Sequence, residues 1–334
     1  MAGFLLWTQA AALGGWTALL TVGEAAEVRS LIEDQIPGLV LVPNEGNDGQ
    51  IYYAIALDLD ASQVPSLIPQ PALRYRRILF PAAASVLGLL EGYPLFLSTI
   101  GLVILSTGVA SSAFHAFVRG HQLPTWAMAG LLLNPGVWLA IRLLTPDMFA
   151  LALALLGLAM AWMRKPATAI ILFALAPLAK EPYWLIAAAV GCWYWLQGHR
   201  RWAAGFLLLT PLPLVAWTIW IGTMIIEAPI ETDNLSMPFL GIIEAASTWP
   251  LTPATDQAYI GLVLLMLAAA SMLVWSARSQ LLQLLIVPWI VLALVSSEWI
   301  WRFGNSVARN NLFLMLMVTT LVGELSTSVR SGSR

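Results

Sequence analysis

The sequence is poor in charge, cysteine and histidine, and each shortage excludes a class of protein. Only 10% of the 334 residues are charged and 59% are hydrophobic, with a mean hydropathy of +0.80, whereas a soluble domain carries about 25% charged residues. A single cysteine, Cys192, excludes a disulfide within the chain. The three histidines lack the spacing of metal ligands. A net charge of −2 without a long basic run argues against nucleic acid as a partner.

Apolar stretches are abundant instead, and many approach the roughly 20 residues that a helix needs to cross a bilayer. The first, Phe4 to Val22, lacks the basic residues of a secretory signal and is interpreted as a retained membrane helix. Further stretches lie at 95–117, 126–144, 145–163, 166–179, 182–196, 202–224, 258–277, 281–299 and 311–325. The stretch 78–90 is too short for a certain span. We predict an all-α polytopic membrane protein with about ten crossings, or eleven if 78–90 crosses, in a single domain, 1–334.

The positions of the basic residues indicate the orientation of these segments. Positive residues accumulate in cytoplasmic loops. The rule assigns to the cytoplasm the clusters at Arg119, Arg164 and Lys165, Arg200 and Arg201, Arg278, and Arg330 and Arg334. It places the N-terminus in the cytoplasm and two long loops, 24–77 and 225–257, on the extracytoplasmic face. The junctions 142–147, 180–182 and 301–311 share that face. Because long ordered loops usually carry function, we expect the site there.

The densest polar group of the first loop is Asn44-Glu45-Gly46-Asn47-Asp48-Gly49-Gln50-Ile51-Tyr52-Tyr53. Its glycines allow a turn just before a helix that we predict from about Gln50 to Asp58. A carboxylate at such a corner can act as a general base towards a hydroxyl, so Asp48 is the candidate catalytic residue. The supporting candidates are Glu45, Gln50, Tyr52 and Tyr53. The alternative is that Asp48 only caps the helix.

Three arginines in the run Arg74-Tyr75-Arg76-Arg77 lie on the face where the positive-inside rule disfavours them. A phosphate or pyrophosphate would explain them, because guanidinium groups bind such oxygens in bidentate fashion and stay charged. The alternative is contact with lipid headgroups, or pairing with Asp58 and Asp60.

Charges near the ends of the apolar segments form the third group of candidates. Charged residues are costly within a membrane and are therefore functional hypotheses by default. They are Arg142, Asp147, Lys180, Glu181, Glu298, Arg302 and Arg309. Alternatively, Lys180 could neutralise Glu181, and Arg142 could neutralise Asp147.

The run Asn47-Asp48-Gly49-Gln50-Ile51-Tyr52-Tyr53, followed by Arg74-Tyr75-Arg76-Arg77-Ile78-Leu79-Phe80-Pro81, resembles bacterial integral-membrane glycosyltransferases of the GT-C superfamily. Three further stretches agree in order and character over about residues 1 to 320. They are Leu133-Asn134-Pro135 with Thr145-Pro146-Asp147, Leu178-Ala179-Lys180-Glu181, and Asn234-Leu235-Ser236-Met237-Pro238-Phe239-Leu240-Gly241.

The resemblance implies transfer of a sugar from a polyprenyl-phosphate donor to a lipid, glycan or protein hydroxyl, with inversion, outside the cytoplasm at the bacterial inner membrane. It makes Asp48 the base and extends the donor-phosphate candidates to Arg74, Arg76, Arg77, Lys180 and Arg309. The supporting set gains Arg142, Asp147, Glu181 and Asn234.

Cofactor use is less well defined by the resemblance. Many such enzymes carry a pair of acids in the first loop, sometimes with a divalent cation. Here Asn47 precedes Asp48, which leaves Glu45 as the nearby second carboxylate. The resemblance therefore implies no certain cofactor and leaves a divalent cation open.

Two other functions are compatible with a polytopic chain, namely a membrane transporter and a non-catalytic scaffold subunit. A transporter predicts pseudo-symmetric halves and charges near the middle of helices. A scaffold needs a partner that covers the two long loops. The sequence has no detectable repeat and its charges fall at helix ends, which favours the glycosyltransferase.

Overall fold

The computed structural model describes residues 2–88, 91–225 and 234–332, and this part of the chain is helical without strands. Residues 89–90 of the short apolar stretch, residues 226–233 of the second long loop, and Arg334 lie outside the described residues. The all-helical class predicted from the sequence is confirmed.

Nineteen α-helices occur in the described ranges. They are α1 (Ala2–Leu13), α2 (Arg29–Gln35), α3 (Asp48–Leu57), α4 (Pro71–Arg76), α5 (Leu79–Leu87), α6 (Gly92–Gly120), α7 (Ala129–Leu132), α8 (Pro135–Arg142), α9 (Asp147–Trp162), α10 (Pro166–Ala179), α11 (Trp184–Leu196), α12 (Arg200–Ala204), α13 (Leu212–Met224), α14 (Leu240–Ala246), α15 (Ala254–Leu273), α16 (Gln280–Leu294), α17 (Glu298–Arg302), α18 (Gly304–Asn310) and α19 (Leu312–Gly332). Short 3₁₀ turns lie at Trp16–Leu20, Val64–Leu67, Thr125–Met128, Glu181–Tyr183, Trp249–Leu251 and Val274–Ser276, and a π-turn at Gly205–Leu209.

Three helical segments are long and apolar enough to cross a membrane: Gly92–Gly120, Arg200–Met224 and Ala254–Ser276. A fourth would arise if α18 and Leu312–Thr327 of α19, which meet at an angle of 59°, formed one bent span. These segments give the chain the character of a membrane protein. The count of ten or eleven crossings and the assignment of sides stay predictions.

Several predicted segments agree closely with the helices, whereas others are interrupted. The segments 95–117, 145–163 and 166–179 correspond to α6, α9 and α10. The stretch 4–22 is not one helix, because α1 ends at Leu13 and Gly14 adopts a φ of 91° before the turn Trp16–Leu20. The stretch 126–144 is divided by Asn134-Pro135, where the proline ring and its missing N–H start a new helix, α8.

The start of α8 is joined to the bend between α18 and α19. The side chain of Asn134 caps α8 by accepting from the Gly136 backbone N–H at 2.9 Å, and its amide donates to the Leu312 carbonyl at 2.9 Å. Gly136 permits close approach, because a Cβ at this position would lie 2.3 Å from the Ala308 carbonyl oxygen. This packing positions the last turn of α18, which carries Arg309.

Candidate active site

Asp48 is the first residue of α3 and its carboxylate binds two arginines. The N-cap is Asn47, whose side chain makes no capping hydrogen bond. Arg74 Nη1 donates to Asp48 Oδ1 at 2.8 Å, and Arg309 Nη2 donates to Asp48 Oδ2 at 2.7 Å. Charge-assisted bonds of this kind are stronger than a bond to a neutral backbone N–H. The interpretation of Asp48 as a helix cap is therefore wrong.

The surroundings of Asp48 keep its carboxylate ionised. Burial raises its pKa, but the positive charges of Arg74 and Arg309 outweigh that effect and hold the pKa of Asp48 well below its usual range. The two oxygens thus share one negative charge, and each already accepts a hydrogen bond from a guanidinium group.

A second acid, Asp147, extends this cluster at the start of α9. Its Oδ1 accepts a hydrogen bond from Lys180 Nζ, and its Oδ2 lies 3.9 Å from Arg309 Nη1. Both Asp147 and Lys180 are nearly fully buried, and a charge buried in an apolar environment needs a partner of opposite sign. The predicted neutralisation of Asp147 by Arg142 is wrong, because Arg142 is exposed at the end of α8.

Glu181 follows Lys180 in the chain but pairs elsewhere. Its Oε2 accepts from Arg77 Nε at 2.9 Å, and Arg77 Nη1 donates to the Tyr52 hydroxyl at 3.1 Å. The predicted neutralisation of Lys180 by Glu181 is therefore wrong. Lys180 ends α10 in an extended conformation and Glu181 opens a 3₁₀ turn, so the two side chains reach different partners.

Among the described residues, neither Asp58 nor Asp60 forms a salt bridge with the arginines of the run 74–77. The Asp58 carboxylate accepts from the backbone N–H groups of Ser62, Gln63 and Val64 and from the Tyr75 hydroxyl. Asp60 is exposed. Asp58 therefore organises the turn after α3, and the arginines remain available to the cluster.

All five predicted phosphate-binding side chains line one cavity of about 780 Å³, called here the cationic cavity. They are Arg74, Arg76, Arg77, Lys180 and Arg309. The described lining also contains three carboxylates, Asp48, Asp147 and Glu181, so positive charge is in excess by two. Tyr52 and Asn234, both predicted, lie in the same wall. Apolar side chains cover much of the rest: Leu73, Trp184, Leu185, Leu235, Leu292 and Ile300.

Several buried polar atoms of this wall have no hydrogen-bond partner in the described part of the chain. They are the Nε atoms of Arg74, Arg76 and Arg309 and Oε1 of Glu181. Arg76 differs from the other four cations, because it pairs with no carboxylate among the described residues. Buried polar groups are rarely left unpaired in folded proteins. These atoms therefore mark a place where a polar ligand would add hydrogen bonds.

A second cavity, of about 860 Å³, reaches the same carboxylate and is called here the acidic cavity. The residues that line both cavities are Asp48, Pro69, Phe303, Ser306 and Arg309. Glu27 and Glu45 belong to the acidic cavity alone. Asp48 is therefore accessible from two separate spaces of different charge.

Two of the supporting residues have structural roles. Gln50 lines the acidic cavity, where its Oε1 accepts from the Gly23 N–H at 3.1 Å and its Nε2 donates to the Glu45 carbonyl at 2.6 Å. Tyr53 lines neither cavity and donates its hydroxyl to the Gly92 carbonyl at 2.9 Å. Arg142 also lines neither cavity.

Sequence reasoning did not identify several lining residues. They are Glu27, Phe303, Ser306, Asn310 and Asn311. Four of them fall in the segment 301–311, which was expected on the face of the site. The relevant signal was its run of Asn and Ser residues beside Arg309. Glu27 had no signal, because an isolated acid in a loop is usually only solvated.

The described residues do not form a recognisable cation site. Within the described ranges, no three His, Cys, Asp or Glu side chains lie close enough together to hold a metal ion. Both oxygens of Asp48 are bound to guanidinium groups, and Glu45 is exposed at the rim of the acidic cavity. The donor set does not fit a divalent cation, so no step is assigned to one.

Neither a family model, nor a curated protein, nor a solved structure matches this chain.

Proposed function

We propose that this chain is an inverting glycosyltransferase of the GT-C type, which moves a sugar from a polyprenyl-phosphate donor to a hydroxyl of a lipid, glycan or protein. The proposal places the reaction at the extracytoplasmic face of a bacterial inner membrane. The chain is then a polytopic transmembrane domain whose loops 24–77 and 225–257 face the reaction side.

The observation that carries the proposal is the charge of the cationic cavity. A polyprenyl-phosphate sugar has one negative charge on its phosphate, and the phosphate gains a second when the sugar leaves. An excess of two positive charges matches the departing phosphate better than the bound donor. Groups that stabilise the charge of the transition state more than that of the ground state accelerate a reaction.

The unpaired atoms support a position for the donor phosphate in this cavity. Arg76 has a guanidinium group that no described carboxylate occupies, and its Nε is buried without a partner. Two further unpaired Nε atoms belong to Arg74 and Arg309. Guanidinium groups bind phosphate oxygens with strong, directional hydrogen bonds. The phosphate of the donor is therefore assigned to these three arginines.

The apolar part of the cationic cavity suits a prenyl chain. Leu235 and Trp184 are exposed at 56% and 42% of their surfaces although they line this cavity. Apolar side chains so exposed are favourable where they contact lipid or a lipid chain. A donor dissolved in the bilayer could then present its phosphate without a nucleotide-binding fold.

The chemistry follows from the position of Asp48 between the two cavities. The acceptor hydroxyl oxygen attacks the anomeric carbon while the bond between that carbon and the phosphate oxygen breaks. The polyprenyl phosphate leaves with the electron pair, and Asp48 takes the proton of the hydroxyl. Attack opposite the leaving phosphate inverts the anomeric configuration. General base catalysis of this kind contributes about 10² to 10⁴ in rate.

The test is transfer of label from radiolabelled polyprenyl-phosphate sugars to a membrane extract by the purified protein in detergent or vesicles. We expect transfer from the prenyl-linked donor and none from the corresponding nucleotide sugar. Transfer from the nucleotide sugar alone would contradict the proposal. So would transport of a solute by vesicles in which no labelled sugar is transferred.

A further inference from the structure

The acidic cavity and the cationic cavity differ in the sign of their charges although they meet at Asp48. The acidic cavity is lined by Glu27, Glu45 and Asp48, and Arg309 is the one cationic residue in its described lining. Arg29 is near in sequence but does not line the cavity, because it pairs with Glu33 at 3.0 Å. The local potential of the space beyond Asp48 is therefore negative.

The two glutamates hold defined positions relative to Asp48. The Glu24 N–H donates to the Val42 carbonyl at 2.9 Å, which joins the chain before Glu27 to the chain before Glu45. Gln50 of α3 then binds both segments, through the Gly23 N–H and the Glu45 carbonyl. Gly46 makes this approach possible, because it has a φ of +77° and a Cβ there would lie 2.4 Å from the Thr21 carbonyl oxygen. The backbone segments that carry the two glutamates are thus tied to the helix that begins with Asp48.

We propose that the acceptor occupies the acidic cavity and belongs to the class of neutral or amino-bearing hydroxyl compounds, without phosphate or carboxylate groups. This inference rests on the proposed function and adds the class of the second substrate. Each exposed carboxylate repels an anionic group beside it, although solvent screens part of this repulsion. The charges also separate the two substrates, because the phosphate of the donor is attracted to one side of Asp48 and repelled from the other.

The experiment uses the purified protein with radiolabelled polyprenyl-phosphate sugar and a membrane extract. The unreacted donor, which is anionic itself, is first removed from the labelled products by thin-layer chromatography. The products are then separated on an anion exchanger into an unbound fraction, neutral or amino-bearing, and a bound, anionic fraction. The double variant Glu27→Gln with Glu45→Gln removes two charges and keeps the size of both side chains. Glu24→Gln is the matched control, since Glu24 is an exposed acid of the same segment outside the cavity lining.

With the wild-type protein and the control, we expect most label in the unbound fraction. In the double variant the ratio of bound to unbound label should rise by about threefold to tenfold, as expected for two partly screened charges. Label mainly in the bound fraction of the wild type, or an unchanged ratio in the double variant, would overturn the inference alone. Absence of label in both fractions would overturn the proposed function and the inference with it.

Discussion

Asp48 provides the sharpest test at the scale of a single residue. Asp48→Asn replaces one carboxylate oxygen by an amide nitrogen and removes basicity with little change in volume. We expect a folded protein with turnover lower by about two to four orders of magnitude, the usual contribution of a general base. The measurement is the transfer rate at saturating donor. Asp60→Asn, at an exposed acid of the same loop, is the control and should transfer normally. A rate near that of the wild type in Asp48→Asn would refute the assigned base.

Arg76 tests the phosphate site separately from the chemistry. Arg76→Lys keeps the charge but loses the planar, bidentate group, so donor affinity should fall by about tenfold. The measurement is binding of labelled polyprenyl-phosphate sugar without acceptor. Arg142→Lys is the matched control, because Arg142 is exposed and lines neither cavity. Equal donor affinity in both variants would mean that Arg76 does not bind the donor phosphate and only contacts lipid headgroups.

The types of the site residues were predictable from the sequence, but their partners were not. Asp48, Arg74, Arg77 and Lys180 stood out because charges are rare and costly in such a chain. Their pairing depends on separations of 26 to 261 residues along the chain, as for Asp48 with Arg74 and with Arg309. Local reasoning paired neighbours such as Lys180 and Glu181 instead. Neighbouring positions in the sequence do not reveal that the side chains of Lys180 and Glu181 point to different partners at the end of α10.

At the scale of elements, α8 and α18 touch through Gly136. Gly136→Ala would place a Cβ 2.3 Å from the Ala308 carbonyl oxygen, so α18 must move, at a cost of about 1–3 kcal/mol. Since Arg309 follows Ala308, we expect a lower thermal midpoint and weaker donor binding. Gly101→Ala in α6, where a Cβ meets nothing within 4 Å, is the matched control and should leave both quantities unchanged or raise stability slightly. The same thermal midpoint and donor affinity in the two variants would show that the contact between Gly136 and α18 affects neither quantity.

The Asp58 carboxylate stabilises the turn after α3 through its hydrogen bonds to the backbone. Burial raises the pKa of Asp58, but the N–H groups of Val64 and Gln63, with the hydroxyls of Ser62 and Tyr75, outweigh it and lower the pKa below the ordinary value of 3.8. The stabilisation is therefore complete above pH 3.8 and is lost as the pH falls through the lower, folded-state pKa. Asp58→Asn should lower the free energy of unfolding by about 2 kcal/mol near pH 7.

The measurement for Asp58→Asn is thermal unfolding in detergent between pH 3 and pH 7, with Asp60→Asn as the control. The difference between wild type and Asp58→Asn should shrink at the acidic end. A difference that is constant with pH would mean that the charge of Asp58 contributes nothing to the turn.

Elements with long apolar runs were predictable, and interruptions were not. The bounds of α9 and α10 agree with the predicted segments within two residues, because composition alone decides such helices. The breaks at Gly14 and at Asn134-Pro135 were missed, since hydropathy does not record backbone conformation. The bend at Asn311, where α18 and α19 meet at 59°, coincides with the predicted start of the segment 311–325, because polar residues precede it.

At the scale of the whole molecule, the positive-inside rule predicts that Asp48, Asp147 and Glu181 share one compartment and that Arg164, Arg200 and Arg278 share the other. Single cysteines introduced into a Cys192→Ala background can be labelled with a membrane-impermeant reagent in vesicles of known orientation. We expect positions 48 and 200 to react from opposite sides. Labelling of both from the same side would refute the topology, even if the cluster around Asp48 is correct.

The two guanidinium groups on Asp48 have a consequence for the order of events in the proposed reaction. Before the donor arrives, each oxygen of the base is engaged, so a hydroxyl or a water molecule that enters first meets a carboxylate with little capacity to accept its proton. A donor phosphate offers Arg74 and Arg309 another anion, and Arg309 has Asp147 within 3.9 Å as a further partner. Binding of the first substrate would thus create the base that the second one needs, and departure of the phosphate would withdraw it. If the proposed reaction is correct, these ion pairs predict a compulsory order of binding, donor before acceptor.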